Sequence, residues 1–527
     1  MNHEISQISG TARRAIESRD WAVVNQSAEA ILRLDPQSAE GHFFAGLVEK
    51  VQKKPIKAIE FFEKVLELDE RRYDAAVELA NQYSIARRNG DAMDLLIRYE
   101  DALSNSPIYL DMAGTVYTEI GMPQKAWPLY QKATALQPGV DLFQANLAAC
   151  AVYLGKIEEA REIYLALLQR FPDHRRNHYH LSRLGKARDF DHIQQMKEIL
   201  SLSDGSENRN IPLYFAIAKE LEDLEQWESS FEFYQKAGDA VKSVAAYDVA
   251  KDIALIDKII EVCDADWLEN TSQDTRQDDT EKTPIFIVGL PRTGTTLTER
   301  ILSSHSQVES LGETLFLQMV LRRESGVASV ENMNPGMIDA VAQIDMGLIA
   351  KGYLDKVRYR LGASPMFIEK LPFNFLYLGF IARAWPQARI VHLVRDPMDA
   401  CFSMYKQVFT WAYKFSYSLD SLGQYYIAHH RLARHWQSLL GDRMVEVEYE
   451  KLVADPEGQT RSLLDRLGLE FEETCLQFDR NQAPSTTASS VQVREKVHGG
   501  SVQRWRRFEQ QLQPLREQLE SAGIRVE

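Results

Sequence analysis

The chain has 527 residues, a 45% hydrophobic and 26% charged composition and a formal net charge of -15. That length is more than one hydrophobic core supports, so two or three domains are expected. The acidic balance excludes nonspecific binding of the whole chain to nucleic acid, and any anionic ligand would need its own local cluster of basic residues. The opening residues 1–20 lack the apolar core of a secretory leader, and no apolar run reaches the ~18 residues of a membrane span. A cytoplasmic protein is therefore expected. Cys150, Cys263, Cys401 and Cys475 are too widely spaced for a disulfide framework or a paired-cysteine zinc site. Glycosylation patterns at Asn25 and Asn270 are read as chance matches.

The first half repeats. Ala58, Ala92, Ala126 and Ala160 lie 34 residues apart, each followed four residues on by Phe62, Leu96, Tyr130 or Tyr164. The same spacing relates Gly46, Ala80, Gly114 and Ala148. Thirty-four residues accommodate two short helices with their turns, and small residues are needed where such helices cross closely. This stretch resembles the tetratricopeptide repeat family. Around residues 178–200 the small residue is lost, and a further unit returns shifted by two, with Ala218, Tyr234 and Ala237. The resemblance implies an α-helical repeat solenoid over residues 1–245, with a groove for a peptide or protein partner or a purely architectural arm. Residues 246–283 read as a capping helix and a linker, since residues 264–283 hold seven acidic residues against Arg276 and Lys282.

From residue 284 the pattern changes to "PIFIVGLPRTGTTLTERI". An apolar strand, a glycine loop and a helix make a phosphate-binding context, because unpaired amides at a helix N-terminus attract anions. Gly289 and Gly294 have the spacing of a nucleoside-triphosphatase loop, but Thr295 stands where that loop carries lysine and Thr296 supplies the hydroxyl. Without the lysine, the loop suits one or two tetrahedral groups held by amides, hydroxyls and Arg292 rather than a triphosphate. Further strands are expected at 366–370, 389–396 and 444–449, separated by helices. Alternating strands and helices give an α/β three-layer domain with a parallel sheet, over residues 284–527, with ligands beyond the C-terminal strand ends.

"GLPRTGTTL" followed by "RIVHLVRDPMDACFSM" resembles the two nucleotide-binding signatures of sulfotransferases, closest to the tyrosylprotein branch. The resemblance implies 3'-phosphoadenosine 5'-phosphosulfate (PAPS) as donor, without a required metal. A phosphosulfate loop of Arg292, Thr293, Gly294, Thr295, Thr296 and Leu297, and a 3'-phosphate site of Arg395 and Ser403, follow from it. It also implies donor contacts from Tyr449, Ser489 and Arg504, with Glu313 as base and Lys370 and Ser489 as catalytic cations and donors. Two departures stand out: arginine rather than lysine at position 504, and Gln407 in place of an arginine, beside Lys406. His305 and His392 are alternative bases. A magnesium-dependent kinase using Asp396, or a nucleotide-sensing scaffold without catalysis, are the competing readings. The acceptor stays open among protein tyrosine, glycan, lipid and small phenol.

Overall fold

The computed structural model describes residues 2–202, 207–271, 282–327, 333–409, 412–481, 483–487, 490–491, 494 and 499–526. The chain divides into two compact units, Met1–Ile163 and Tyr164–Glu527. Among the described residues no helix is long and apolar enough to cross a membrane.

The first unit is a series of helix pairs, among them Ala39–Val51 with Pro55–Leu68 and Pro107–Glu119 with Pro123–Leu136. Pro55, Pro107 and Pro123 open their helices at the position where the missing amide hydrogen costs nothing. The 34-residue ruler is the crossing point: Ala58, Ala92 and Ala126 are fully buried. A Cβ added at Gly46 would stand 2.6 Å from the Phe62 ring, and one at Gly114 2.8 Å from the Tyr130 ring. The row of small residues is therefore what admits the aromatic row. The same period fixes the turns, since Arg19, Lys53, Arg87, Gly121 and Gly155 all adopt positive φ at intervals of 34 residues. Glu225 does so two residues out of step, matching the shift read from the sequence.

The second unit holds a five-stranded parallel sheet ordered β2-β3-β1-β4-β5, where β1 is Thr283–Gly289, β2 Val308–Ser310, β3 Met366–Lys370, β4 Arg389–Val394 and β5 Met444–Glu448. Its strands alternate between two cores. Phe286, Val288, Phe367 and Ile390 enter one; Ile285, Ile287, Ile368, Val391 and Val445 enter the other. Both faces are thus covered by helices, as parallel sheets require.

The division falls at Ile163 rather than near residue 245 because the later repeat helices share the sheet's larger core. Phe231 and Tyr234, on helix Trp227–Val244, pack on Phe402, and Phe402 on Phe508 at 4.6 Å between ring centroids. Helix Val249–Val262, expected as a cap, joins the same core through Leu255, Ile256 and Ile259. The acidic stretch after it is partly structured: Trp267 packs edge-on against Phe380 and donates to the Ala342 carbonyl at 3.0 Å. Residues 272–281 lie outside the described residues. Replacing Gly46 by alanine should normally favour a helix by about 1 kcal/mol. Here the ring contact should reverse the sign, with G46A losing about 1–3 kcal/mol of first-unit stability in urea denaturation; a gain would show that the Phe62 contact is not limiting.

Candidate active site

All five strands run parallel, so their C-terminal ends gather on one edge, and each end delivers a residue of interest. After β1, residues Leu290–Gly294 turn into helix Thr295–Leu302. The turn needs its glycines: Gly289 has φ +143°, with a Cβ there 2.6 Å from the Leu393 carbonyl oxygen, and Gly294 has φ +101°, with a Cβ there 2.7 Å from the Tyr449 ring. Arg292, between them, also adopts a positive φ, +69°. Thr293 locks the turn by donating to the Leu290 carbonyl at 2.8 Å. Thr295 and Thr296 begin the helix, whose first amides have no intrahelical acceptor.

After β4, Arg395 is nearly buried and ties three segments together. Its Nη1 donates to the Arg292 carbonyl (2.9 Å) and to Ser403 Oγ (3.2 Å), and its Nη2 donates to the Ser501 carbonyl (2.5 Å). The guanidinium lies 4.7 Å from the centre of the Tyr449 ring, and Tyr449, which follows β5, shares a 2.8 Å hydrogen bond with Ser501. The C-terminal segment is held from beneath by Asp399, whose carboxylate accepts from the Gln503 and Trp505 amides at 2.6 and 3.1 Å.

Glu313 follows β2, and Lys370 is the last residue of β3. The Lys370 ammonium is completely buried, bonds Glu313 and lies 3.5 Å from Glu299. Burial alone would pull its pKa down, but the two carboxylates outweigh it and hold it above the ordinary lysine value. Glu313 keeps 36% of its side chain exposed.

One cavity of about 930 Å³ joins these groups. Arg292, Gly294, Thr295, Thr296, Leu297, Arg395, Ser403, Tyr449 and Glu313 all line it. Lys370 lies behind Glu313 and is not on the wall. Thr293 faces the turn. Burial and the guanidiniums of Arg183 and Arg395 push Arg292 down to about 10. Such concentrated positive charge at two strand ends is what a doubly phosphorylated nucleotide would neutralise.

Residues 284–473 match the sulfotransferase family. This segment is a sulfotransferase-family domain. An uncharacterised protein of Aquifex aeolicus is 30% identical over 381 residues, covering 71% of this chain and 49% of that one, so the chain spans about half of that relative's length. The protein-tyrosine sulfotransferase 1 of Danio rerio is 27% identical over 236 residues, 42% of this chain and 65% of that protein. The solved sulfotransferase domain from the Synechococcus PCC 7002 olefin synthase aligns at 23% identity and a TM-score of 0.32, over 44% of this chain and 90% of that one.

Within the sulfotransferase domain, other residues singled out by sequence have different surroundings. Ser489 lies outside the described residues. Arg504 lines the cavity, but its Nε is 2.7 Å from Glu222, a buried carboxylate on the repeat helix Glu207–Asp223. Lys406 donates to the same Glu222 oxygen at 2.7 Å, and Gln407 donates to Tyr179 Oη at 3.4 Å. His305 is buried against the Glu470 carbonyl and His392 sits 3.9 Å from Glu446; neither lines the cavity. Asp396 caps helix Pro397–Tyr405, accepting from the Met398 and Asp399 amides at 3.0 and 2.9 Å. One oxygen, Oδ1, takes both of these bonds, so the side chain has a capping role in the fold.

Sequence reasoning missed Ser501, whose part is played by a backbone carbonyl as well as its hydroxyl, and Asp399 and Glu222, which bind partners remote in sequence. It also missed Glu369. This fully buried side chain accepts from the Thr314 amide (3.1 Å) at one oxygen and from Thr314 Oγ1 and Tyr353 Oη (both 2.7 Å) at the other. It thereby fixes the turn that carries Glu313. Burial pushes Glu369 up to about 7, against the lowering effect of those hydrogen bonds. Because the folded value exceeds the ordinary 4.5, the fold favours the neutral acid. Its destabilising contribution grows as pH rises from the unfolded value and is complete above the folded one. Wild type should lose roughly 2 kcal/mol relative to E369Q between pH 5 and 7.5, read by urea denaturation; parallel pH profiles would refute the assignment.

Proposed function

We propose that the chain is a sulfotransferase that moves a sulfuryl group from PAPS to an acceptor hydroxyl, with a protein tyrosine as the favoured acceptor. One observation carries this reading: Arg395 and Ser403 share a cavity with the Arg292 to Leu297 loop, and Arg395 itself donates to the Arg292 carbonyl. A 3',5'-bisphosphorylated nucleotide needs two anion sites a ribose apart, and a triphosphate does not. The loop amides, Thr295, Thr296 and Arg292 receive the 5'-phosphosulfate. Arg395 and Ser403 receive the 3'-phosphate, with Tyr449 against the nucleotide.

At the acceptor end, Glu313 borders Pro372, Phe409 and Tyr413 on the cavity wall. The Tyr413 ring meets Phe409 and Phe373 edge-on at 4.7 and 4.5 Å. An aromatic wall beside a carboxylate suits a phenol, and the protein-tyrosine sulfotransferase relatives support the same choice. A phenol ionises near pH 10, so its proton leaves during attack rather than before it. The acceptor oxygen bonds sulfur as the bond from sulfur to the 5'-phosphate oxygen breaks. Glu313 takes the proton, and adenosine 3',5'-bisphosphate leaves. Protonation would neutralise Glu313 and leave the buried Lys370 ammonium facing Glu299 alone, so that more of its field acts on the charge building on the departing phosphate.

Full-length protein should bind adenosine 3',5'-bisphosphate in the presence of EDTA. In a labelled-sulfate transfer assay, E313Q should lower turnover by about 100-fold or more while nucleotide affinity stays within a few-fold of wild type. K370M should follow the same pattern. Equal losses of turnover and affinity would remove the proposed roles of both residues.

A further inference from the structure

Two carboxylates approach the buried Lys370 ammonium. Glu313 is the base at the cavity wall; Glu299 is the other. Glu299 stands on helix Thr295–Leu302, one turn after Thr295, and its Oε2 lies 3.5 Å from Lys370 Nζ. Its side chain is 13% exposed and does not line the cavity, so it reaches the reaction only through its neighbours. Arg300, next to it in sequence, directs its guanidinium to the Asn481 and Ala483 carbonyls.

The second oxygen of Glu299 is tied to the turn that carries the base. Ser310, the last residue of β2, donates from Oγ to Glu299 Oε1 at 2.6 Å and accepts on the same atom from the Gly312 amide at 3.0 Å. The amide occupies a lone pair of the hydroxyl, which leaves its one proton for Glu299. The Gly312 carbonyl in turn accepts from the Lys370 amide at 2.9 Å. Glu299 thus closes a ring of contacts through the helix after the phosphate loop, the turn of Glu313 and the end of β3. Charge counting gives it a part that packing alone would not need. Two carboxylates around one ammonium leave a single net negative charge. When Glu313 takes the acceptor's proton, Lys370 and Glu299 remain as a neutral pair. Without Glu299, the same transfer would leave a fully buried ammonium with neither of its carboxylate partners charged, a state that burial disfavours.

We propose that Glu299 is a positioning residue for the transfer step, holding the Lys370 ammonium charged and in place while Glu313 takes up the acceptor's proton. The helix that begins at the phosphosulfate loop then serves both ends of the reaction: its first turn binds the donor, and its second steadies the cation that acts on the leaving phosphate. The proposal rests on the sulfotransferase reading above and adds to it a residue off the cavity wall.

Transfer of labelled sulfate from PAPS to a tyrosine peptide by full-length wild type, E299Q, E299D, K370M and E299Q/K370M tests it. Thermal melts confirm folding, and calorimetric titration of adenosine 3',5'-bisphosphate reads affinity. E299Q should lower turnover about 10- to 100-fold, the scale of one interaction with a charged group, while nucleotide affinity stays within a few-fold of wild type. E299D, which keeps the charge on a shorter stem, should recover part of that loss. E299Q/K370M should be no slower than K370M, because a residue acting through the ammonium has nothing to act on once it is gone. Should E299Q not fold, S310A takes its place and should lose turnover several-fold, again only while Lys370 is present. Wild-type turnover in the folded single variant, or losses that multiply in the double variant, would overturn the assignment while leaving the sulfotransferase reading intact. Absence of nucleotide binding or of transfer by the wild type would overturn both.

Discussion

The guanidinium of Arg395 is the point on which the site depends. With its carbonyl and hydroxyl acceptors it links the phosphate loop after β1, the helix after β4 and the C-terminal segment at Ser501. A cation in that position is held by neutral oxygens and by the face of Tyr449, with Asp399 3.8 Å away. Among the described residues the carboxylate paired with it, Asp399, stands off at 3.8 Å and accepts hydrogen bonds from backbone amides, so the charge is oriented without a direct hydrogen bond to an anion, a condition that suits an anionic ligand.

Gathering this much positive charge in an acidic protein is a local arrangement with a local cost. Arg183, Arg292 and Arg395 line one cavity, and like charges held close together raise each other's energy. Acidic side chains, two of them on the cavity wall, limit that cost. Glu222 takes Lys406 and Arg504; Asp223 takes Lys219; Asp399 is turned toward backbone amides of the C-terminal segment. The Glu313 and Lys370 pair shows the same economy, since the carboxylates more than offset the effect of burial on the ammonium.

The repeat helices contribute in two physically distinct ways. In the first unit the 34-residue period sets helix crossing and turn conformation. In the second unit the period loosens: the small residue is lost near residue 180, the next unit slips by two, and aromatic residues at 231 and 234 turn to the core shared with Phe402 and Phe508. Departure from the repeat coincides with the helices that wall the cavity, as expected where packing against a different surface replaces packing against the next repeat.

Much of this was legible in the residues themselves. The helical period, the strand at 366–370 and the glycine turn after β1 followed from local physics: helix crossings demand small side chains, buried strands demand apolar runs, and a positive φ beside a close neighbour demands glycine. Spacing within one loop or one helix, such as Arg395 to Ser403, was readable for the same reason. Tertiary structure alone decided that Glu222 claims Arg504 and Lys406, that Glu369 anchors the turn of Glu313, that Lys370 sits behind its carboxylate, and that Arg183 lines the same cavity as Arg292. Each of these brings together polar or charged groups separated by tens to hundreds of residues, and no local periodicity encodes which of them meet once the chain has closed around them.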